Sequence, residues 1–378
     1  MRLGRVLAGV SAGVLLCVGF GVTRAGATSS GPVIYGWGDN GNGELGNNST
    51  TDAATGPIAI DLSGTVLADK TITQIENTDN STSCAVTSDG GVYCWGARSY
   101  AAIGDGGSSS GNQLTPVQVG TSGDMAGKKI KSIAGAFGFC ALDTVGLAYC
   151  WGYNGPGTVG NGTKGADVAA PVAVTMPTGV TFTQISSGYE HYCALGSDHK
   201  AYCWGYNVFG QLGDGTTTET HVPVHVDMTG VMSGWVLTQV EAGTYDSCAL
   251  NTLGQVACWG SNLYGEVGDG TTIRRNAPVL VDTSANSALT GGVMVESLSA
   301  SSASLSTCAV TTRGRVVCWG FGYFGMTGLG NTTNTSYPTW VATATTPMDG
   351  KRIVQVSVGN YHTCALDNAG AIYCWGDD

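Results

Sequence analysis

Residues 193–205 read CALGSDHKAYCWG, and this phrase recurs with small changes along the chain. In each copy the two cysteines are separated by nine residues, and Trp-Gly follows the second cysteine. A further Trp-Gly, at Trp37-Gly38, has no cysteines. The six pairs are Cys84 with Cys94, Cys140 with Cys150, Cys193 with Cys203, Cys248 with Cys258, Cys308 with Cys318, and Cys364 with Cys374.

The spacing within each phrase is typical of a β-hairpin. The sixth residue after the first cysteine is glycine in every repeat except one, which has His199. A three-residue loop made of a type I turn and one left-handed residue favours glycine at this place. Histidine is among the few other residues that tolerate that conformation, so we predict a positive φ at His199. Counted outward from such a loop, the two cysteines face each other at a non-hydrogen-bonded position, within reach of a disulfide.

Buried free thiols and metal ligands are the alternatives for these cysteines. Zinc sites usually combine closely spaced cysteines with further Cys or His nearby, and the pairs lack that pattern. The chain also begins with an export signature, and oxidised cysteines are typical of exported proteins. We therefore expect six hairpin disulfides, each stabilising the fold by about 2–3 kcal/mol, and no metal site.

Successive Trp-Gly dipeptides are 53 to 60 residues apart, and each interval contains the same segments. A glycine-rich loop is followed by a Pro-x-x-Val strand (Pro223 to Val226), an alternating segment (Val236 to Val240) and the cysteine hairpin. This order predicts about four short strands per repeat, with turns between them. The predicted fold class is all-β, a β-propeller of four-stranded blades, in which radial repetition leaves only short, protected strand edges.

Residues 1–27 have the composition of a signal peptide. Arg2 and Arg5 precede an apolar stretch over residues 6–22, and Ala25-Gly26-Ala27 fits a cleavage site. The alternative is a membrane anchor, because the stretch is close to the length of a spanning helix. Its glycines and the small triplet favour removal. We therefore expect a signal peptide at 1–27, a propeller at 28–378, and a secreted, cell-surface or periplasmic protein.

The chain is acidic, with 16 Lys and Arg against 27 Asp and Glu and a net charge of −11. Removal of residues 1–27, which contain three arginines and no acids, brings the charge to about −14. Such a surface does not suit DNA or anionic lipid. No second apolar segment is long enough to cross a membrane. We expect no nucleic-acid partner and no membrane insertion after signal cleavage.

The fullest repeat, residues 188–213, reads GYEHYCALGSDHKAYCWGYNVFGQLG, and the pattern of residues 188–205 returns at 359–376. This pattern resembles the regulator-of-chromosome-condensation repeat, and the resemblance covers nearly all of the chain after residue 27. It implies a seven-bladed propeller that acts by binding other proteins. The chain departs from this family in its paired cysteines, its acidity and its export signature, and it has no basic tail for chromatin. We therefore expect an exported, disulfide-containing member of bacterial type.

The number of blades is less clear than their type. Seven Trp-Gly strands accompany six copies of each of the other three segments. Six complete repeats plus one extra N-terminal strand are favoured by this count, whereas the resemblance favours seven blades. The sequence is therefore compatible with six or seven blades.

Several recurring residues are expected to be structural. The motif tryptophans occupy the same place in every repeat, which favours packing between blades over a binding cage. His191 and His362 each precede a cysteine by two positions, and a structural hydrogen bond inside the blade is favoured over catalysis. Asp214 and Asp269 lie in glycine-rich loops whose acids are too sparse for a calcium site. No catalytic triad, carboxylate pair or phosphate loop is evident, so we expect no catalytic residues and no cofactor.

Candidate binding residues lie at two kinds of position. One is the fourth residue after the glycine of Trp-Gly, which is aromatic in four repeats; packing between blades is the alternative role. The other comprises the two tryptophans outside the motif, for which a core position is the alternative. The long loops 98–114, 282–292 and 343–351 also interrupt the repeat, and loops on rigid scaffolds commonly carry recognition. The candidates are Tyr100, Phe209, Tyr264, Phe324, Trp235 and Trp340.

These observations favour a non-catalytic, disulfide-linked scaffold that binds an unknown protein or cell-surface ligand, as a monomer. One alternative, by family analogy, is nucleotide exchange on a small GTPase, which the export signature and acidity oppose. Another is an extracellular carbohydrate-active enzyme, which only the fold class supports.

The cysteine spacing yields the first testable prediction. Alkylation of the unreduced, exported protein leaves all six pairs unmodified, and peptide mapping links each cysteine to the one ten positions away. Six pairs of free thiols in exported protein would refute the hairpin interpretation.

Overall fold

The computed structural model describes residues 6–7, 14–19, 33–60, 62–78, 80–107 and 109–377. The proposed cleavage triplet at 25–27 lies outside the described residues, as does most of the proposed signal peptide. Within the described part, the regular elements are β-strands and three short 3-10 helices. The helices are Ser99–Ala101, Thr290–Gly292 and Tyr323–Gly325.

The first of two compact units comprises residues 1–155 and 165–174. It contains three four-stranded antiparallel sheets, in which strands pair in chain order. These sheets are β1 (Val6–Leu7), β2 (Val14–Gly19), β3 (Val33–Gly38) and β4 (Ala53–Ile60); β5 (Ile72–Asn77), β6 (Thr82–Thr87), β7 (Val92–Ala97) and β8 (Asn112–Gln118); and β9 (Ile130–Gly135), β10 (Gly138–Asp143), β11 (Ala148–Gly152) and β12 (Val168–Ala173).

The second unit comprises residues 156–164 and 175–378. It contains three four-stranded sheets and one three-stranded sheet. These are β13 (Phe182–Ser187), β14 (His191–Gly196), β15 (Ala201–Gly205) and β16 (Thr220–His225); β17 (Leu237–Ala242), β18 (Asp246–Asn251), β19 (Val256–Gly260) and β20 (Arg275–Leu280); β21 (Val295–Ser299), β22 (Ser306–Thr311), β23 (Val316–Gly320) and β24 (Thr335–Trp340); and β25 (Ile353–Val358), β26 (His362–Asp367) and β27 (Ile372–Gly376).

The propeller fold class and its four-stranded blades are confirmed, and six of the sheets have four strands. A typical blade runs from the alternating segment through the two cysteine strands to the Pro-x-x-Val strand. The first Trp-Gly strand, β3, pairs with β2 on one side and β4 on the other. Strands β1 and β2 lie within residues 1–27, so removal of the proposed signal peptide would leave this sheet with β3 and β4. The seventh sheet, β25–β27, has the first three strand types.

The cysteine hairpins have the predicted turn. The φ angle of His199 is 61°, and the turn glycines of the other repeats also have positive φ. In every hairpin the two cysteines are directly opposite each other in the strand register. A left-handed residue at the end of the turn therefore sets the register that brings the cysteines together.

The structure contains the six disulfides that the spacing predicts. In each pair the sulfurs are bonded and the Cα atoms are 4.0 to 4.1 Å apart, as expected for opposed positions of an antiparallel hairpin. The bonded pairs are Cys84 with Cys94, Cys140 with Cys150, Cys193 with Cys203, Cys248 with Cys258, Cys308 with Cys318, and Cys364 with Cys374.

The hydrophobic cores lie between successive sheets rather than within one. In the first unit, Ile34 and Leu45 of the first sheet and its loop pack with Ile72 and Trp95 of the second. The second strands β6, β10, β14, β18 and β22 are buried at every residue, so both of their faces are covered. Stability therefore depends on each sheet having a neighbour, as expected for repeats that cannot bury an apolar face alone.

The motif tryptophans hold each repeat to the one before it. The indole N–H of Trp259 donates to the backbone carbonyl of Gln211, at 2.9 Å, in the loop after the preceding Trp-Gly strand. Six repeats make this bond, at 2.6 to 2.9 Å. The indole also lies against Gly213, where an added Cβ would be 2.6 Å from Nε1. Packing between repeats, the role predicted for these tryptophans, is thus combined with a directed hydrogen bond.

Glutamines form a second connection between successive sheets. In β5, Gln74 donates through Nε2 to the carbonyl of Ile133 and accepts the N–H of the same residue through Oε1, at 2.8 and 3.0 Å. Gln184 bonds Val240 in the same way. Both glutamines lie on the first strand of their sheet, so they satisfy backbone groups at the edge of the next sheet, which would otherwise be unpaired.

The glycine beside the indole provides a stability test. Gly213 and Gly215 lie in one loop and both have positive φ, but only Gly213 faces the Trp259 ring, while the space around Gly215 is open. Gly215→Ala should destabilise the protein by about 1–2 kcal/mol, the cost of a left-handed alanine. Gly213→Ala should cost about 1–3 kcal/mol more, because its methyl group overlaps the indole. Denaturant unfolding measures both variants, and equal losses would contradict the proposed contact.

Candidate functional site

Aromatic side chains form a continuous, partly exposed cluster in the second unit. Ring centroids are 4.9 Å apart for Tyr264 and Phe321, 4.5 Å for Tyr323 and Phe324, and 5.1 Å for Phe324 and Tyr361. Phe321 and Tyr323 connect the two ends of the cluster at 6.0 Å. Tyr323, Phe324 and Tyr361 are the most exposed members, at 56%, 39% and 44%. We call these five residues the Phe324 cluster.

A second aromatic group in the same unit surrounds Tyr245. Its ring lies 4.9 Å from that of Phe209 and 5.5 Å from that of Tyr189, while Tyr206 contacts Phe209 at 6.3 Å. Burial raises the pKa of Tyr245, and the nearby Tyr189 and Glu190 add to the increase. These rings are half-buried, so this group presents less apolar surface than the Phe324 cluster.

The first unit contains a smaller group of three rings. Tyr100 lies 5.6 Å from Phe137 and 5.3 Å from Tyr153, and the latter two are 5.8 Å apart. All three pairs meet edge to face, an arrangement that aromatic quadrupoles favour. Tyr100 is 41% exposed.

The antiparallel register explains why these aromatics gather at one end of the sheets. Phe137, Tyr245 and Tyr361 immediately precede the second strand of a sheet, whereas Tyr153 and Phe321 immediately follow the third strand. Antiparallel neighbours place the start of one strand beside the end of the other. The fourth-residue aromatics follow a few positions later in the same loops. From the sequence we identified only the fourth-residue position, although the positions before the second strand and after the third strand are equally regular.

Two of the predicted aromatics have an unusual backbone. The φ angles are 56° at Tyr100 and 58° at Phe324, in the left-handed region that bulky residues rarely occupy. Each such residue costs roughly 1–3 kcal/mol, and strain of this kind is concentrated at functional sites. Tyr100 and Phe324 thus combine a strained backbone with a partly exposed ring.

The two tryptophans outside the motif are not part of the aromatic groups. Trp235 is partly buried against a core cluster that includes Met232 and Leu237. Trp340 ends β24, packs partly against another core cluster, and lies 3.8 Å from the guanidinium carbon of Arg315. Structural packing, the alternative role at the sequence level, therefore describes Trp235 better than recognition does.

The histidine before the cysteine is part of the scaffold. His191 is fully buried, and burial lowers its pKa to about 3. Its Nε2 lies 2.9 Å from Ser247 Oγ, which in turn donates to the Gln211 carbonyl that also accepts the Trp259 indole. This partner is in the next repeat, so the expected bond inside the blade is corrected to one between blades. His362 is half-buried, and burial lowers its pKa.

A carboxylate that the sequence did not single out lies between two first strands. Glu241 accepts hydrogen bonds from Gln239 at 2.7 Å, Ser186 at 2.9 Å and Gln184 at 3.0 Å. Burial raises its pKa to about 7, and the three hydrogen bonds act in the opposite direction. Its protonation therefore changes near neutral pH.

Two further acids are buried in the second unit. Burial raises the pKa of Asp246 well above its usual value, and the nearby Glu266 adds to the increase. Burial also raises the pKa of Glu266.

In the described ranges, no group of three or more His, Cys, Asp or Glu side chains is placed to hold a metal ion. A search of the same residues finds no helix long and apolar enough to cross a membrane.

The fold and its repeated hairpins define a β-propeller built from repeats with a constant internal order of strands. The family model of the RCC1-like domain matches residues 6–349 of this chain. The family model of the Regulator of chromosome condensation (RCC1) repeat matches residues 353–378. The chain belongs to this family of RCC1-like domains.

Curated relatives differ widely in size and role. The chain is 28% identical over 372 residues to the Ultraviolet-B receptor UVR8 of Arabidopsis thaliana, covering 96% of this chain and 77% of the receptor. It is 29% identical over 296 residues to the E3 ubiquitin-protein ligase HERC2 of Homo sapiens, covering 78% of this chain but 6% of the ligase.

Two solved structures show the same fold. Human WBSCR16 has a TM-score of 0.80 at 18% identity, with 97% of this chain and 89% of that chain covered. Yeast RCC1 (Prp20), solved with Kap60 bound, has a TM-score of 0.72 at 23% identity, with 94% and 78% covered. At these identities the likeness concerns the fold alone.

Glu241 provides a pH-dependent prediction. Its pKa is about 7 in the folded protein against 4.5 ordinarily, so the folded state binds more protons than the unfolded state between these values. Stability from the protonated carboxyl is complete below pH 4.5 and is lost as pH rises through about 7. Glu241→Gln should remove about 1–3 kcal/mol of this pH dependence, measured by urea unfolding at pH 4.5 and 8. Glu296→Gln, an exposed change on β21, is the control, and identical profiles for all three proteins would contradict the prediction.

Proposed function

We propose that this protein is an exported, non-catalytic scaffold that binds a protein partner through the aromatic end of its blades. The single observation that carries the proposal is the Phe324 cluster, in which five rings form a continuous and partly exposed surface. Tyrosine and phenylalanine provide large contact areas with few rotatable bonds, and exposed aromatics are common anchors of protein interfaces.

The scaffold suits this role because it holds the aromatic loops rigidly. Phe209 is two residues from Gln211, whose carbonyl is fixed by the Trp259 indole. In the same loop, the buried Asn207 accepts the N–H of Leu212 and donates to the carbonyl of Thr218. Binding would then require little ordering of loops, which reduces the entropy lost on association.

The relatives support a protein partner without identifying it. Yeast RCC1 is solved with Kap60 bound, and the structure of Prp20p is described with its binding to Gsp1p and histones. The ligase activity of HERC2 is not transferred, since this chain covers 6% of that protein. The proposal of export is supported by the composition of residues 1–27 and by the six disulfides. The absence of catalysis is also part of the proposal.

The test begins with the mature protein with its disulfides intact. This protein is mixed with proteins from cell surfaces and cross-linked to any protein that it binds. A captured protein is then purified and its affinity measured against wild type and Tyr323→Ala/Phe324→Ala/Tyr361→Ala. We expect a loss of about 100-fold or more, because truncated anchor residues commonly cost about 2 kcal/mol each.

The matched control is Leu253→Ala/Leu280→Ala, which removes exposed apolar side chains outside the aromatic cluster. It should bind within about threefold of wild type, since isolated surface hydrophobes contribute little. Equal affinity of the aromatic variant would refute the proposed face. Recovery of polysaccharide only, or turnover of a carbohydrate panel, would refute the protein-binding function.

A further inference from the structure

A basic cavity lies at the other end of the β21–β24 sheet from Phe321. It has a volume of about 430 Å³ and is bounded by the β22–β23 turn, the loop 343–351 and the start of β25. Its basic lining residues are Arg313, Arg315, Lys351 and Arg352, and Asp349 is the acidic residue of the lining. The chain has only 16 lysines and arginines and a net charge of −11. Four cations around one cavity therefore make this region positive, in contrast to the negative net charge of the chain.

The equivalent cavity of the preceding sheet shows that the fold does not require this charge. That cavity has a volume of about 450 Å³ and lies at the β18–β19 turn and the start of β21. Aligning the turn glycines and the following strands places Leu253, Gln255, Val293 and Met294 where the basic cavity has Arg313, Arg315, Lys351 and Arg352. The same backbone thus forms a neutral cavity in one repeat and a strongly cationic cavity in the next.

Two of the arginines are held in position by the surrounding residues. The guanidinium of Arg315 stacks on Trp340, with its central carbon 3.8 Å from the ring centroid. The side chain of Arg352 lies against Gly314, where an added Cβ would be 2.5 Å from Cγ. Arg352 also donates to the Thr312 carbonyl at 3.4 Å and lies 3.8 Å from the Glu296 carboxylate. Stacking leaves the edge of a guanidinium free for in-plane hydrogen bonds.

Acids of the described residues neutralise little of the positive charge around this cavity. In the part of the chain that the structure describes, Arg313, Arg315 and Lys351 form no ion pair, while Arg352 has only the distant Glu296. Like charges so close together repel one another, and a bound anion relieves that repulsion. Arginine forks match the geometry of phosphate and sulfate oxygens with paired hydrogen bonds.

We propose that this cavity binds an oxyanion, a phosphate or sulfate group, with Arg313, Arg315, Lys351 and Arg352 as ligands. This site is separate from the aromatic face and independent of the proposed protein-binding function. The group can come from a free ion or from an ester on a glycan, because the chemistry recognised is the same. Trp340, predicted from the sequence as a binding residue, contributes by orienting Arg315 rather than by contacting a protein partner.

Calorimetric titration of the disulfide-bonded protein tests the site with two kinds of probe. Inorganic phosphate and sulfate represent the free ions, and a sulfated heparin disaccharide represents an ester, with the unsulfated disaccharide as its control. We expect saturable binding of the oxyanions, weakening as NaCl increases, and no binding of the unsulfated sugar. Tighter binding of the sulfated disaccharide than of free sulfate would identify an ester as the source, and the reverse order would identify the free ion.

Arg313→Glu/Arg315→Glu should weaken oxyanion binding at least about tenfold, since each charged hydrogen bond contributes strongly to affinity. Lys128→Glu/Lys129→Glu makes the same change of charge at exposed residues of the first unit and should leave affinity within about twofold. Unfolding curves confirm that both variants are folded. Equal weakening by the two variants, or no saturable binding of any oxyanion by wild type, would overturn the proposal.

Discussion

The bond from a tryptophan indole to a loop carbonyl of the preceding repeat is the interaction on which the rest of this structure depends. In three repeats the same carbonyl also accepts a hydroxyl, from Ser83, Ser247 or Thr363. Because these groups are buried, losing the bond would leave an unpaired donor and acceptor, which costs more than the bond itself contributes. This cost favours a single position of the loop, with its carbonyl and neighbouring glycine, relative to the next sheet.

This constraint links stability to the presentation of the candidate binding residues. The loop that provides the carbonyl also carries the fourth-residue aromatics, so fixing one end of the loop limits the movement of the other. The disulfides act at a different level, since each one, such as that between Cys193 and Cys203, closes a hairpin within a single sheet. Hydrogen bonds and packing connect successive repeats, whereas the disulfides restrain the hairpin within each blade. The aromatic loops follow the second strand of the hairpin and are also fixed by the indole hydrogen bond.

The sequence predicted local structure well and the contacts between sheets poorly. The left-handed His199, the opposed cysteines and the order of strand types all follow from turn chemistry and a fixed spacing. The Gln74 and Gln184 bridges were missed because a glutamine in an alternating strand has no feature that distinguishes it from a surface residue. Glu241 was missed for the same reason, since its raised pKa depends on burial that only neighbouring strands provide.

Four of the predicted binding aromatics could be found because they occupy one place in the repeat, but their partners could not. Phe137, Tyr245 and Tyr361 precede the second strand of the next sheet, and only the packing of successive sheets brings them beside the loop aromatics. By itself, the sequence determined the all-β repeat, the cysteine hairpins and the turns, since these depend on residues close together in the chain. Tertiary structure decided which aromatics share a surface, where His191 finds its partner, and that four scattered cations line one cavity. Those features depend on distances between residues that are far apart in sequence, which spacing along the chain does not encode.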